Sequence, residues 1–378
     1  MDNNSGKKYK IAQIIIHLAN GGTESLLREY VTQMDKNKFE NIVICVQPSL
    51  GSASEKALAE AGIKVYFVGD QLGKGKDPVR QAINCVKTYR IIYDILEKEN
   101  VYAVHTHLST NRFAYKFIMD HKDVKYFHTV HCPVAWMFNE GLKAKIENII
   151  VKSIIKNRQI KFIALHRAMA DEINKWFNVN DTEVLENGIH LDIFRNPGVT
   201  KSEIRKEIGI PENAFVLGHV GRMAPEKNHK KIFEVFKELK KRRPDAILLL
   251  VGNGRCEDEV KQLNNKMGLS DSTFILSNRT DVNRLLKAMD VFIFPSLFEG
   301  LGIALIEAEA SGLKCVISDT VPKETHLVEN LSALPLDESA SVWCDAVLDN
   351  SIKNPAEGDI NAYDIKNVMK KLEGIYTN

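Results

Sequence analysis

Short runs of β-branched and aromatic residues alternate with longer amphipathic stretches along most of this chain, and that alternation leaves few folds open to it. Strands are expected at Ile11–Ile16, Ile42–Val46, Val65–Val68, Ala103–His105, Tyr126–Val130, Phe162–Leu165 and Glu183–Leu185. Helices are expected between them, and a second series repeats the pattern at Val216–Val220, Ala246–Val251, Phe274–Leu276, Val291–Phe294 and Cys315–Ile317. A strand that returns through a helix to a parallel neighbour builds a doubly wound α/β sheet. At 378 residues the chain is longer than one core usually grows, so two such sheets are expected. The turn-rich stretch from Asn187-Gly188 to Asn196-Pro197-Gly198 reads as the linker. The expected division is 1–190, 191–360 and a terminal helix, 361–378, that packs back on the first domain. Where two such sheets face each other across a cleft, ligands belong at the carboxyl ends of the strands.

Composition narrows the function. Lys and Arg number 51 against 49 Asp and Glu, which leaves no global field to attract nucleic acid. The six cysteines show neither disulfide nor zinc spacing, and no apolar run approaches the roughly 20 residues of a membrane span. A reduced, cytoplasmic protein without a signal peptide is the expectation.

Chemistry concentrates in the loops after strands. Val291–Phe294 leads into Pro295-Ser296-Leu297-Phe298-Glu299-Gly300-Leu301-Gly302 and then an apolar helix carrying Glu307 and Glu309. Amides at Gly300, Leu301 and Gly302 open that helix, where the helix dipole favours an anion such as a phosphate. Glu299 and Glu307 can face one ligand across the helix start, their carboxylates accepting from hydroxyls. Glu309 lies about 200° around the helix from Glu307 and is assigned to structure. Val216–Val220 leads into Gly221-Arg222-Met223-Ala224-Pro225-Glu226-Lys227-Asn228. Cations at a helix start oppose its dipole, so Arg222 and Lys227 call for an anion, and a diphosphate fits. After the first strand, Gly21 and Gly22 close onto a helix and let a ligand approach the backbone. His105, His107, His128 and His131 cluster on two strand ends. Strand alternation sends His128 and His131 to opposite faces, which argues against a metal site.

Together these segments resemble the family 4 retaining glycosyltransferases, which have the GT-B fold of two facing Rossmann-like domains. Glu299 through Glu307 resembles the family's E-x7-E signature, and Gly221 through Asn228 its G-R-x-x-x-x-K-N motif. The Gly21-Gly22 loop and Thr129-Val130-His131 are similar to further family motifs. The resemblance implies an acceptor-binding first domain and a second that binds a nucleotide-sugar donor. Glu299 and His131 would contact the donor sugar, Glu307 the ribose, Arg222 and Lys227 the diphosphate, and the backbone near Arg279 the base. His190 stands where Asp is usual, and the segment from Ser318 to Glu324 resembles the branch that builds capsular polysaccharide or exopolysaccharide.

Glycosyl transfer leaves negative charge on the departing diphosphate oxygen, and something must stabilise it. No D-x-D triplet occurs, so Arg222, Lys227 and the helix near Gly302 are expected to do this with no metal and no cofactor. A UDP-sugar is favoured over a GDP-sugar as donor, with a glycan or lipid-linked glycan as acceptor. The stretch 143–161 interleaves lysines with isoleucines. It reads either as a helix packed on its own sheet or as a contact with anionic lipid on the inner face of the cell membrane. Two other functions remain open: a GT-B sugar-nucleotide epimerase and a non-catalytic nucleotide-sugar-binding protein. A nicotinamide dehydrogenase is disfavoured, because Gly252-Asn253-Gly254 lacks the third glycine of a dinucleotide fingerprint.

Overall fold

The computed structural model describes residues 8–19, 22–73, 75, 77–132, 134–349, 351 and 358–378. The chain divides into two compact units, Met1–Gly188 together with Ile365–Asn378, and Ile189–Asp364.

In the first unit the strands are β1 Tyr9–Ile15, β2 Phe39–Cys45, β3 Lys64–Phe67, β4 Ala103–His107, β5 Lys125–Thr129, β6 Lys161–Ala164 and β7 Glu183–Val184. They form one sheet in the order β3-β2-β1-β4-β5-β6-β7. Every described pairing is parallel. A parallel sheet covered by helices on both faces buries its strands completely, and β4 is buried at all five positions. The helix Ile365–Thr377 belongs to this unit, burying Val368, Leu372 and Tyr376 against Ile11, Tyr30, Phe39 and Phe127.

The second unit holds β8 Phe215–Val220, β9 Ala246–Val251, β10 Thr273–Leu276, β11 Val291–Phe294, β12 Lys314–Ser318 and β13 Leu331–Leu334, in the order β10-β9-β8-β11-β12-β13. Successive strands step one way from β8 to β10, and β11 then returns to the other side of β8. That reversal makes the gap between the ends of β8 and β11 the switch point, where open α/β sheets place ligands. The corresponding reversal in the first unit lies between β1 and β4.

Candidate active site

The loops that leave β8 and β11 meet at the switch point of the second unit. Lys227 Nζ lies 2.5 Å from Glu299 Oε1, and the Leu297 amide donates to the Glu226 carbonyl at 2.8 Å. The ammonium also sits 4.6 Å from the centroid of the Phe294 ring. Side-chain exposure is only 12% for Lys227 and 10% for Glu299, so the pair is largely withdrawn from solvent. Arg222 is its opposite. Its guanidinium is 74% exposed and reaches Glu226 at 3.2 Å, an exposed pair worth roughly 0–1 kcal/mol. The anion each cation meets in the folded chain is therefore a carboxylate, one held firmly and one loosely.

Beside them, the helix Ile303–Ala310 starts at Gly302 without a side-chain cap, which leaves its first amides to other acceptors. Gly302 has φ +87°, a left-handed conformation that glycine adopts at little cost. Burial pushes the Glu307 carboxyl up to about 7, with no donor offsetting it. Glu309 faces inward, as its place on the helix predicts. It accepts from the Leu327 amide at 3.0 Å, and burial pushes it up to about 8 despite backbone donors.

Two more loops complete the rim. Gly252 and Gly254 follow β9 with φ of +143° and +159°, and a Cβ on either would collide with a carbonyl oxygen, of Gly221 or Met223. Close backbone approach is thus what this G-x-G supplies, locked by Met223 N donating to Asn253 O at 2.8 Å. Arg279 follows β10, and its guanidinium forks onto Asp281 at 2.7 and 2.6 Å and reaches Glu207 at 3.4 Å.

In the first unit, Gly22 begins the helix Gly22–Gln33, while Gly21 lies outside the described residues. His128 and His131 do point to opposite faces. His128 lies among Thr106, Asn111, Phe138 and Phe162, whereas His131 Nε2 lies 3.0 Å from His107 Nδ1. Burial depresses all four imidazoles, His128 and His131 to about 3. Among the described residues no three His, Cys, Asp or Glu side chains are grouped to hold a metal ion. The spacing of motifs did not single out Glu226, Phe294, Gln13 or Tyr376. Glu226 sits where its motif leaves the residue type open, Phe294 lies on β11 ahead of the Glu299 motif, and the last two are 363 residues apart.

Residues 20–193 match the model described as Glycosyltransferase Family 4, and residues 200–335 the model described as Glycosyl transferases group 1. The chain is 28% identical to a UDP-Gal:alpha-D-GlcNAc-diphosphoundecaprenol alpha-1,3-galactosyltransferase of Escherichia coli, covering 98% of this chain and 97% of that protein. It is 24% identical to the capsular polysaccharide biosynthesis glycosyltransferase CapH of Staphylococcus aureus, covering 97% and 98%. Its fold is similar to that of Anabaena HepE solved with UDP-glucose, with a TM-score of 0.76 at 16% identity, over 97% of this chain and 99% of that one. The two matched models cover most of the chain in succession, and the relatives agree with them: the chain belongs to the family 4 glycosyltransferases, enzymes of the GT-B fold.

Proposed function

We propose that the chain moves a sugar from a nucleoside-diphosphate sugar to a hydroxyl of a glycan or lipid-linked glycan, with retention of configuration and without a metal ion. The observation that carries this reading is the convergence of Arg222, Lys227, Glu299 and the uncapped start of Ile303–Ala310 at one switch point. Lys227, Arg222 and the helix amides stabilise the departing diphosphate, Glu299 holds the sugar, and Glu307 accepts from the ribose hydroxyls. A phosphate draws Arg222 from Glu226 cheaply, because that pair is exposed. The departing phosphate oxygen takes the acceptor's proton on the face it leaves. In the first unit, His131 contacts a sugar hydroxyl. The printed names of the Escherichia coli relative and of HepE's complex both carry UDP, which favours a UDP-sugar here.

A thermal-shift screen tests the donor assignment. A ligand at 100 times its Kd adds about 2.7 kcal/mol to the folded state. UDP-sugars are expected to raise the melting temperature by several degrees, and Arg222→Ala and Lys227→Ala to reduce that rise. No shift with UDP-, GDP- or ADP-sugars, or an unchanged shift in both variants, removes the donor site. The product's anomeric proton coupling decides retention, and activity in excess EDTA decides metal independence.

A lipid-linked acceptor suits the helix Gly141–Asn157. Val151 and Ile154 are buried in the core, whereas Leu142, Ile146 and Ile149 are exposed at 76%, 42% and 68% among lysines. Both sequence readings thus find residues: one face packs on the sheet and another offers apolar and cationic groups together. We propose that this outer face rests on anionic lipid. No described helix is long and apolar enough to cross a membrane. Sedimentation with phosphatidylglycerol vesicles is expected, falling at least tenfold in a Leu142→Ser, Ile146→Ser, Ile149→Ser variant. Equal sedimentation of the two proteins rules the surface out.

A further inference from the structure

Tyr376, on the helix Ile365–Thr377, joins a buried polar path that ends at His131. Its hydroxyl lies 3.0 Å from Gln13 Nε2 and 2.6 Å from His105 Nδ1. The other end of the Gln13 amide, Oε1, lies 2.9 Å from His107 Nε2, and His107 Nδ1 lies 3.0 Å from His131 Nε2. Gln13, His105, His107 and Tyr376 are at most 1% exposed. Buried polar groups this dry must satisfy one another, and each proton placed fixes the next.

A neutral imidazole has one N–H and one lone pair. Burial keeps these rings neutral at pH 7, so every link has a single direction. Asn41 sets that direction: its amide nitrogen points to the Met34 sulfur at 3.3 Å, which turns its oxygen toward Gln13 Nε2 at 3.5 Å. Gln13 therefore presents its amide N–H groups to Asn41 and Tyr376, and its carbonyl to His107. His107 must donate from Nε2, which leaves Nδ1 as an acceptor. His131 must then donate from Nε2, and its Nδ1 keeps a bare lone pair. On the other arm, the Tyr376 hydroxyl accepts from Gln13 and lies against His105, whose Nε2 lies 2.7 Å from Thr129 Oγ1; hydroxyls at both ends let this arm follow Gln13 in either sense.

We propose that Asn41, Gln13 and His107 are positioning residues that hold His131 in the Nε2–H tautomer, so that Nδ1 can only accept a hydrogen bond, from a sugar hydroxyl. This rests on the reading of His131 as a sugar contact. Inverting the Gln13 amide reverses His107 and moves the His131 proton to Nδ1, and the Asn41 carbonyl, whose own amide lies on the Met34 sulfur, guards against that inversion.

Long-range 1H–15N spectra of the 15N-histidine-labelled full chain test the proposal, with the His131 resonances assigned by their loss in His131→Asn. The expected wild-type spectrum shows His131 protonated at Nε2. Asn41→Leu removes the carbonyl that orients Gln13, and Gln13→Met removes the amide. Each is expected to shift His131 toward a mixture of tautomers and to raise the donor KM about tenfold, with a smaller change in kcat. A merely structural role lowers the melting temperature and leaves the His131 spectrum of the folded protein unchanged. A wild-type His131 protonated at Nδ1, or an unchanged spectrum in both folded variants, overturns the relay. A normal donor KM in His131→Ala overturns the sugar contact instead, whatever the spectra show.

Discussion

Replacing Lys227 with alanine is expected to lower turnover by about 10²–10³-fold, the usual cost of removing one preorganised group that stabilises transition-state charge. The ammonium is 12% exposed, rests over the Phe294 ring and lies 2.5 Å from Glu299, so it acts where charge is poorly screened. The same substitution strands Glu299, a carboxylate with 10% exposure, and loses about 3 kcal/mol of stability if the pair behaves as a buried one. The two effects separate in the double variant Lys227→Met, Glu299→Gln, which leaves no unpaired charge. It should recover most of the stability and none of the turnover. Initial rates with a UDP-sugar and urea unfolding of the three proteins check this. Turnover within threefold of wild type in Lys227→Ala would show that the lysine serves the fold alone.

The second large effect is acid lability of the first unit. Burial holds His105, His107, His128 and His131 below their ordinary value of about 6.5, so the unfolded chain takes up protons first as pH falls. Their contribution is complete above pH 6.5 and is lost below it, at about 1 kcal/mol each over the next unit. Glu147, raised by burial, works in the opposite sense and takes back part of this. The four histidines together, up to about 4 kcal/mol between pH 6.5 and 5.5, are a large share of a typical 5–15 kcal/mol. The second unit is buffered. His219 and His229 are also depressed, but burial raises Glu307 to about 7 and Glu309 to about 8. Those two carboxyls hold protons in the folded state, so their contribution grows as pH falls and cancels the histidines. Hydrogen–deuterium exchange resolved by peptide at pH 7.5 and 5.5, corrected for intrinsic exchange, should show β4 and β5 losing protection while β8 and β11 keep theirs. Equal behaviour of the two sheets would contradict the assignment.

Much of the fold was legible because buried parallel strands announce themselves. Ala246–Val251 and Val291–Phe294 match the observed strands residue for residue, since each is an unbroken apolar run bounded by polar or turn-forming residues. Leu331–Leu334 passed unread: a four-residue run containing a serine gives no periodicity to detect. Glu307 and Glu309 parted as helix geometry requires, because angular position within one helix is local information. The partners of the two cations were not legible in the same way. Pairing Lys227 with Glu299 joins residues 72 apart, and Glu226 stands where its motif accepts any residue. Gln13 and Tyr376 lay further from reach, since only the completed sheet and the returning helix bring them together.

That returning helix also bears on how the protein is made. The chain leaves the first unit at Gly188 and re-enters it at Ile365, so the second unit is threaded into the first as a long insertion. During synthesis, residues 1–188 emerge without the helix that covers Tyr30, Phe39 and Phe127. The second unit, contiguous from Ile189 to Asp364, can mature first while the earlier segment waits on the ribosome with an apolar face open to chaperones.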